Sequence, residues 1–367
     1  MKRDKIGFVG LGLIGGSIAK AIKNKYPETR MIAVASKDAT CKQACDAGVI
    51  ENDRNVDLTD FSDCDIIFLC SPVQVNVDYM EKLVKVIGTD CILTDVGSVK
   101  GDISKAASRL GIADQFIGGH PMTGAEKTGF ENAREALLEN AYYILTAEDD
   151  FDKTVLDEFS DFISSLGPVT LKMKPEDHDH ATAAISHLPH VVSASLVNLV
   201  KNTDDEFGTC KTIAAGGFKD ITRISSSSPV MWQHICLTNK DEILKLLDAY
   251  TEELSKFREV IASSDDRGIM DLFTSAKDYR DSLSIPVSHP AIRVHELYLY
   301  VEDKPGTILA ALTLLFIADI SIKNLDIIHN REFEPGVLRI EFYHEPELMK
   351  AYEIYQRNEY DVKLRKE

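Results

Sequence analysis

No run of apolar residues in this chain approaches the ~20 needed to cross a bilayer as a helix, and no Lys/Arg-rich run is present. The first absence argues against a membrane-spanning protein. The second argues against a nucleic-acid binder, which needs a basic face. Cations are the minority throughout, with 41 Lys plus Arg against 59 Asp plus Glu and a net charge of -18. That balance aids solubility and says little about fold, but it leaves an anionic ligand dependent on a few well-placed cations. Tryptophan occurs once, at position 232. Neither a repeat of roughly 20–50 residues nor a low-complexity tract is visible. The first expected strand starts within a few residues of Met1, which leaves no room for a signal peptide. The seven cysteines, at 41, 45, 64, 70, 91, 210 and 236, are odd in number. They read as reduced thiols in a cytoplasmic protein. Cys41 and Cys45 lie one helical turn apart, but no second ligand pair accompanies them, so no metal site is expected.

What is present is an ordinary globular composition, 44% hydrophobic and 27% charged, over a length that suits two or three domains. Apolar runs at 5–9, 31–35, 66–69, 91–94, 116–118, 141–145 and 169–173 read as strands. The first four are near-continuous, as strands buried on both faces are. Helical spacing fills 14–25, 39–47, 75–87 and 100–110 between them. Repeated strand–helix units predict an α/β Rossmann-type doubly wound sheet over 1–174. No convincing strand follows until about residue 282. Pro175, with Glu176 and Asp177 behind it, suits a helix start, and helical periodicity continues to 283, so 175–284 reads as an all-α domain with apolar faces suited to dimerisation. Two prolines mark 285–291 as a linker. Residues 292–367 then read strand, helix, strand, strand, helix, strand, a βαββαβ ferredoxin-like unit.

Gly10-Leu11-Gly12-Leu13-Ile14-Gly15 follows the first strand directly and opens a helix. In such a GxGxxG turn the first glycine makes the tight bend, the second admits a pyrophosphate to the backbone, and the third allows close helix–strand packing. The free N–H groups of the helix start, at Leu13 and Ile14, would hold the phosphates. Ser71-Pro72, after the third strand, belongs to the same expected cofactor site. An NAD site places an acidic residue about 20 positions on. Here Ser36 and Lys37 stand there, which could accept a 2′-phosphate, followed by Asp38, which could reach a 2′-hydroxyl. NAD and NADP both remain open.

Four further segments carry concentrated polar chemistry: Asp95-Val96-Gly97-Ser98, His120-Pro121-Met122-Thr123-Gly124, Ser186-His187-Leu188-Pro189-His190, and Gly216-Gly217-Phe218-Lys219-Asp220-Ile221-Thr222-Arg223 followed by Met231-Trp232. α/β sheets bind ligands at strand C-termini, which puts Ser98 and His120 near a nicotinamide. Together these motifs, in register from the glycine loop to Trp232, resemble the prephenate/arogenate dehydrogenases of tyrosine biosynthesis, the TyrA family. The resemblance implies His120 as catalytic histidine and Ser98 as the serine near the nicotinamide and the reacting hydroxyl. It further implies His190 and Arg223 at the substrate, with Arg223 on a carboxylate and Gly216 and Trp232 lining the pocket. Lys127 and Lys219 could serve as secondary cations. Glu126 falls where family members differ; it could favour arogenate, whose side chain carries an ammonium group, or pair with Lys127 or Arg223. Prephenate is the first expectation.

The chemistry so implied, oxidation of a ring carbinol with loss of the ring carboxylate, needs a hydride acceptor, a base and a cation. A nicotinamide supplies the first, histidine suits the second near neutral pH, and an arginine fork suits the third. Ser98 could also cap the following helix, and Asp220 could pair with Arg223 three residues on. The C-terminal unit with its DKPG turn resembles an ACT domain, a small amino-acid sensor. That implies feedback by tyrosine, with an effector near Asp303, Gly306 and Asn324. Competing readings are a β-hydroxyacid or imine-reducing dehydrogenase of similar layout and a non-catalytic amino-acid sensor. Both leave the HPMTG and GGFKDITR segments unexplained.

Overall fold

The computed structural model describes residues 2–124, 127–283, 295–302, 304–328 and 336–364. The chain separates into two compact units, 1–258 and 259–367.

Unit one begins with strands β1 (Lys5–Val9), β2 (Arg30–Val34), β3 (Ile66–Leu69), β4 (Ile92–Asp95), β5 (Phe116–Pro121), β6 (Tyr142–Thr146) and β7 (Val169–Met173). Among them lie helices α1 (Leu13–Lys25), α2 (Asp38–Asp46), α3 (Val73–Leu83), α4 (Gly101–Leu110) and α5 (Lys153–Ser164). The sheet runs β2-β1-β3-β4-β5-β6-β7. One face packs Ile6, Phe8 and Phe68 against Ile18, Ile22, Cys41 and Phe159 of α1, α2 and α5. The other packs Ile67, Leu69 and Leu93 against Met80, Leu83 and Ile103 of α3 and α4. Apolar layers on both faces explain why these strands read as unbroken apolar runs.

β1 to β5 are parallel, but β5 and β6 are antiparallel, pairing His120 with Ile144. The sheet is doubly wound, with helices on both faces as expected, and it is mixed at this one pair. The described residues between β5 and β6 hold only two 3₁₀ turns, Phe130–Asn132 and Glu135–Leu137. A parallel return needs a long crossover, usually a helix. α5 supplies one between β6 and β7, which are parallel.

β2 is an edge strand, and side chains cover its outer rim. Asn52 bonds both the N–H and the carbonyl of Ala33, and Asn55 Oδ1 accepts the Ala35 N–H. A rim occupied in this way cannot template another strand.

The helical part of unit one holds α6 (Pro175–Thr182), a π turn at Ala183–His187, α7 (Leu188–Thr203), α8 (Thr209–Ile213), α9 (Gly216–Thr222), a 3₁₀ turn at Arg223–Ser226, α10 (Pro229–Thr238) and α11 (Lys240–Ala262). Sequence periodicity predicts helix over 181–200, with Pro189 inside it removing one helical N–H. The π turn interrupts it just before Pro189, which has no N–H to offer the Ile185 carbonyl.

α11 runs across the division between the units. Unit two contains α12 (Asp266–Ser282), β8 (His295–Val301), α13 (Thr307–Ile317), β9 (Asn324–Ile328), β10 (Gly336–Phe342), α14 (Glu345–Arg357) and β11 (Asp361–Leu364). The sequence boundaries would group α12 with the preceding helices. The antiparallel order is β11-β8-β10-β9. Leu297, Leu299, Leu338, Ile340 and Phe342 pack against Ala311, Leu315, Ala351 and Tyr355 of its two helices.

The order β2-β1-β3 reverses direction at β1, and the crevice beyond β1 and β3 is where such sheets bind ligands. Gly10 closes it at φ +94; a Cβ there would lie 2.6 Å from Ser71 Oγ and 2.9 Å from the Cys70 carbonyl carbon. Gly10→Ala should therefore cost about 1–3 kcal/mol of stability, read as a lowered unfolding midpoint. An unchanged midpoint would mean the loop relaxes freely.

Candidate active site

The loop after β1 fits a dinucleotide. Gly12 is the N-cap of α1, no side chain caps that helix, and its first turn holds no acidic residue. A Cβ on Gly12 would meet nothing within 4 Å, so an anion can approach the N–H groups there. Gly15 is packed instead, 2.6 Å from the Gly10 carbonyl at its would-be Cβ. Ser71 and Pro72 follow β3; the Ser71 N–H donates to Asn76 Oδ1 at 3.0 Å. Ser36 and Lys37 are exposed beyond β2.

A cavity of about 350 Å³ opens along these strand ends. Ser71, Pro72, Gly97 and Ser98 line one wall, and Val230, Met231, His234, Ile235 and Thr238 of α10 line the other. Ser98 does not cap α4, which begins at Gly101. Asp179 of α6 does so instead, accepting the Lys100 N–H and the Gly101 N–H, each at 2.7 Å. Ser98 is thereby left to the cavity.

Behind this wall lies a fully buried ion pair, Lys100 with Asp95, both 0% exposed at the side chain. Lys100 also donates to the Gly119 carbonyl at 2.7 Å. Asp95 accepts the N–H of Gly97 at 2.8 Å and of Gly119 at 3.2 Å. The pair thus ties the Ser98 loop to the strand carrying His120.

His120 Nδ1 lies 2.8 Å from His178 Nε2, and His178 Nδ1 lies 2.8 Å from Asp179 Oδ1. Burial holds the His120 imidazole well below its ordinary 6.5, with His178, the Lys100 charge and His187 acting in the same direction. It is therefore neutral, and able to accept a proton, at neutral pH.

His190, on α7, stacks on Trp232 of α10 with ring centroids 3.8 Å apart, and its Nδ1 donates to the Ser186 carbonyl at 2.9 Å. Both rings line a cavity of about 510 Å³ with Ser195, Asn198, Ile224 and Ser225. The Trp232 indole N–H is buried without a hydrogen-bond partner among the described residues. His187, 1% exposed, meets Trp232 edge-on and Asn239 Nδ2 at 3.1 Å.

The sequence-expected residues of the catalytic and substrate site thus fall into four groups, one of them His120 alone, which sits against His178 and lines neither cavity. His190 and Trp232 share one cavity; Ser98, Ser71 and Pro72 share another. Gly216, Lys219 and Arg223 are exposed on and just after α9 and line neither, although Ile224 and Ser225 beside Arg223 do. The expected Asp220–Arg223 ion pair is absent among the described residues. Glu126 and Asp303 lie outside the described residues. Gly306 caps α13 at φ +90, and Asn324 opens β9. Sequence reasoning missed His178, Asp179, Asp95 and Lys100. The signal for the first two was a histidine and a carboxylate recurring just inside the Pro175 helix start.

Two outcomes follow from burial. Removing one member of a buried ion pair leaves the other charge uncompensated, so Lys100→Met should cost about 3–5 kcal/mol in chemical denaturation; a loss below about 1 kcal/mol would contradict a buried charged pair. The second concerns acid. Burial lowers His187 from 6.5 to about 4, with Asp179 opposing and His178 and His190 assisting. Between those values the unfolded chain binds the extra proton, so stability rises with pH across that window. It is lost on acidification, by up to ~1.4 kcal/mol per pH unit. His120 and His178 shift the same way. The thermal midpoint should fall steadily below about pH 6.5; a flat profile to pH 4.5 would contradict neutral buried imidazoles.

Residues 18–172 match the family model described as the prephenate dehydrogenase nucleotide-binding domain, and residues 174–275 match the prephenate dehydrogenase dimerization domain. The chain is 38% identical over 363 residues to the prephenate dehydrogenase of Bacillus subtilis, covering 98% of each chain. It superposes on the Synechocystis arogenate dehydrogenase crystal structure with a TM-score of 0.70 and 32% identity, over 76% of this chain and 99% of that one. For the Aquifex aeolicus prephenate dehydrogenase in complex with hydroxyphenyl propionate and NAD+, the TM-score is 0.72 with 30% identity, over 77% and 99%. With family models matched over 18–172 and 174–275 and a relative aligned over 98% of the chain, the chain belongs to the prephenate dehydrogenase family.

Proposed function

We propose that the protein oxidatively decarboxylates prephenate to 4-hydroxyphenylpyruvate, with His120 as base. The observation that carries this reading is a neutral, buried imidazole at the end of β5, tied through Asp95 and Lys100 to the serine loop of a cleft at the strand C-termini. A bound NAD(P)+ would supply the hydride acceptor. Gly10, Gly12, Leu13, Ile14 and Gly15 would hold its phosphates, and Ser71 and Pro72 its nicotinamide side. His120 takes the proton of the ring hydroxyl as hydride leaves the same carbon, and Ser98 holds that hydroxyl. The ring carboxylate departs as carbon dioxide, and aromatisation takes up its electron pair, so no separate electron sink is required. His190, whose Nδ1 proton is held by the Ser186 carbonyl, offers its Nε2 acceptor, and the unpartnered indole N–H of Trp232 a donor, to the rest of the substrate. Arg223, next to Ile224 and Ser225 of the larger cavity, would take the side-chain carboxylate, assisted by Lys219 and with Gly216 on the same exposed segment.

The likeness to an arogenate dehydrogenase favours arogenate as the second reading. For the cofactor, Ala35 stands at the end of β2 with Ser36 and Lys37 exposed beside it, while the Asp38 carboxylate accepts the Asn55 N–H at 2.9 Å. With one oxygen of Asp38 held by Asn55 and Lys37 exposed beside it, this end of β2 suits a 2′-phosphate, so NADP is accepted as well as NAD.

A second copy covers the helical domain, whose Ile185, Leu199, Ile213 and Ile221 are exposed in the single chain. The helical stretch from Pro175 to Thr203 is long and apolar enough to cross a membrane, by length and composition alone. A dimer interface accounts for that surface. The domains are read as 1–174, 175–284 and 292–367. The antiparallel βαββαβ unit of the last is an ACT domain sensing tyrosine near Gly306 and Asn324. Seven free thiols suit a reducing cytoplasm.

His120→Asn should lower kcat by about 10²–10⁴-fold with little change in cofactor affinity; near-normal turnover would remove His120 from the chemistry. Initial rates with prephenate and arogenate, each with NAD+ and NADP+, should be highest with prephenate; a preference for arogenate would overturn the first reading. Tyrosine inhibition should weaken in Asn324→Ala, and inhibition unchanged from the parent chain would place tyrosine elsewhere.

A further inference from the structure

We infer that His178, held by Asp179, is a positioning residue that fixes the tautomer of His120 and leaves the Nε2 lone pair of His120 as the base. The inference rests on the dehydrogenase reading above. Asp179 accepts from three donors, the N–H groups of Lys100 and Gly101 at 2.7 Å and His178 Nδ1 at 2.8 Å. An acceptor so engaged, at the positive N-terminal end of the ten-residue helix α4, is a carboxylate, which can only accept. The proton of that last contact therefore sits on His178 Nδ1. A neutral His178 then has a lone pair at Nε2. Its 2.8 Å contact with His120 Nδ1 is a hydrogen bond only when His120 Nδ1 carries the proton. The second nitrogen of His120, Nε2, is left bare.

The groups that surround this relay favour the same state. His178 is 0% exposed, and its burial lowers its proton affinity, with the Asp179 bond opposing and the Lys100 charge assisting. His187 and His178 face His120 from the helical segment, and Lys100 faces it from the α4 side. Protonating His178 would put an N–H at Nε2 as well and force His120 Nδ1 to accept. His120 would then carry its proton on Nε2, and the base would be lost. The arrangement matches the orienting role of the aspartate in serine hydrolases, with a histidine between carboxylate and base.

The test uses the full-length chain. Nitrogen-15 NMR of histidine-labelled protein should show His120 as the Nδ1-protonated tautomer, assigned by comparison with His120→Asn. His178→Leu removes the acceptor while keeping bulk; its kcat should fall about 10²-fold or more, with KM for substrate and cofactor within about threefold. His178→Gln, whose amide oxygen can accept from His120 Nδ1, should recover at least tenfold over the leucine variant, on the scale of a retained tautomer. In His178→Leu the His120 signal should lose its Nδ1-protonated character. An Nε2-protonated His120 in the parent chain, or a folded His178→Leu with unchanged kcat, overturns the inference. If the leucine variant does not fold, the tautomer in the parent chain decides alone. Should neither prephenate nor arogenate be turned over, the dehydrogenase reading fails while the tautomer measurement still decides this one.

Discussion

A lysine and an aspartate with no contact to solvent hold the centre of this molecule together. Charges taken out of water are tolerated only when paired and when their remaining hydrogen-bonding capacity is used. Lys100 and Asp95 meet that condition through the backbone of Gly97 and Gly119. The polar groups that satisfy the pair belong to the two segments that present Ser98 and His120. The stability requirement of the ion pair and the geometric requirement of the cleft are thus met by the same few bonds. Gly119 has room for this only because it lacks a side chain; a Cβ would fall 2.5 Å from the Asp95 carbonyl.

The parallel half of the sheet was legible because burial on both faces leaves an unmistakable apolar run in β1, β3 and β4. The direction of β6 was not. Strand direction is decided by the connection, and the described residues between β5 and β6 carry only two 3₁₀ turns and no crossover helix, which shows only when folded. The π turn was half legible, since Pro189 announces a missing donor but not how the helix accommodates it.

For the site, motif spacing pointed to His120 and Ser98, whereas nothing local distinguished Lys100 from an ordinary lysine at a helix start. Its burial follows from Asp95 five residues earlier and from Gly119 across the sheet. His178 and Asp179 follow the Pro175-Glu176-Asp177 helix start and belong to none of the motifs that stood out in the sequence. Their contacts, 58 residues from His120 and 79 from Lys100, exist only in three dimensions. Such long-range partners of a motif residue are the part of a site that spacing does not encode.

The seating of α6 against α4 has one further consequence. Asp179 is at once the plug that closes the open end of one helix and the far end of the chain of imidazoles leading to the cleft. Lifting α6 away would strip that helix end of its counter-charge and, in the same motion, release the ring that His120 leans on. If His120 is the base proposed above, it would be set for its task only while α6 stays seated on α4, so that loosening this joint would disable the chemistry before any part of the sheet has to unfold.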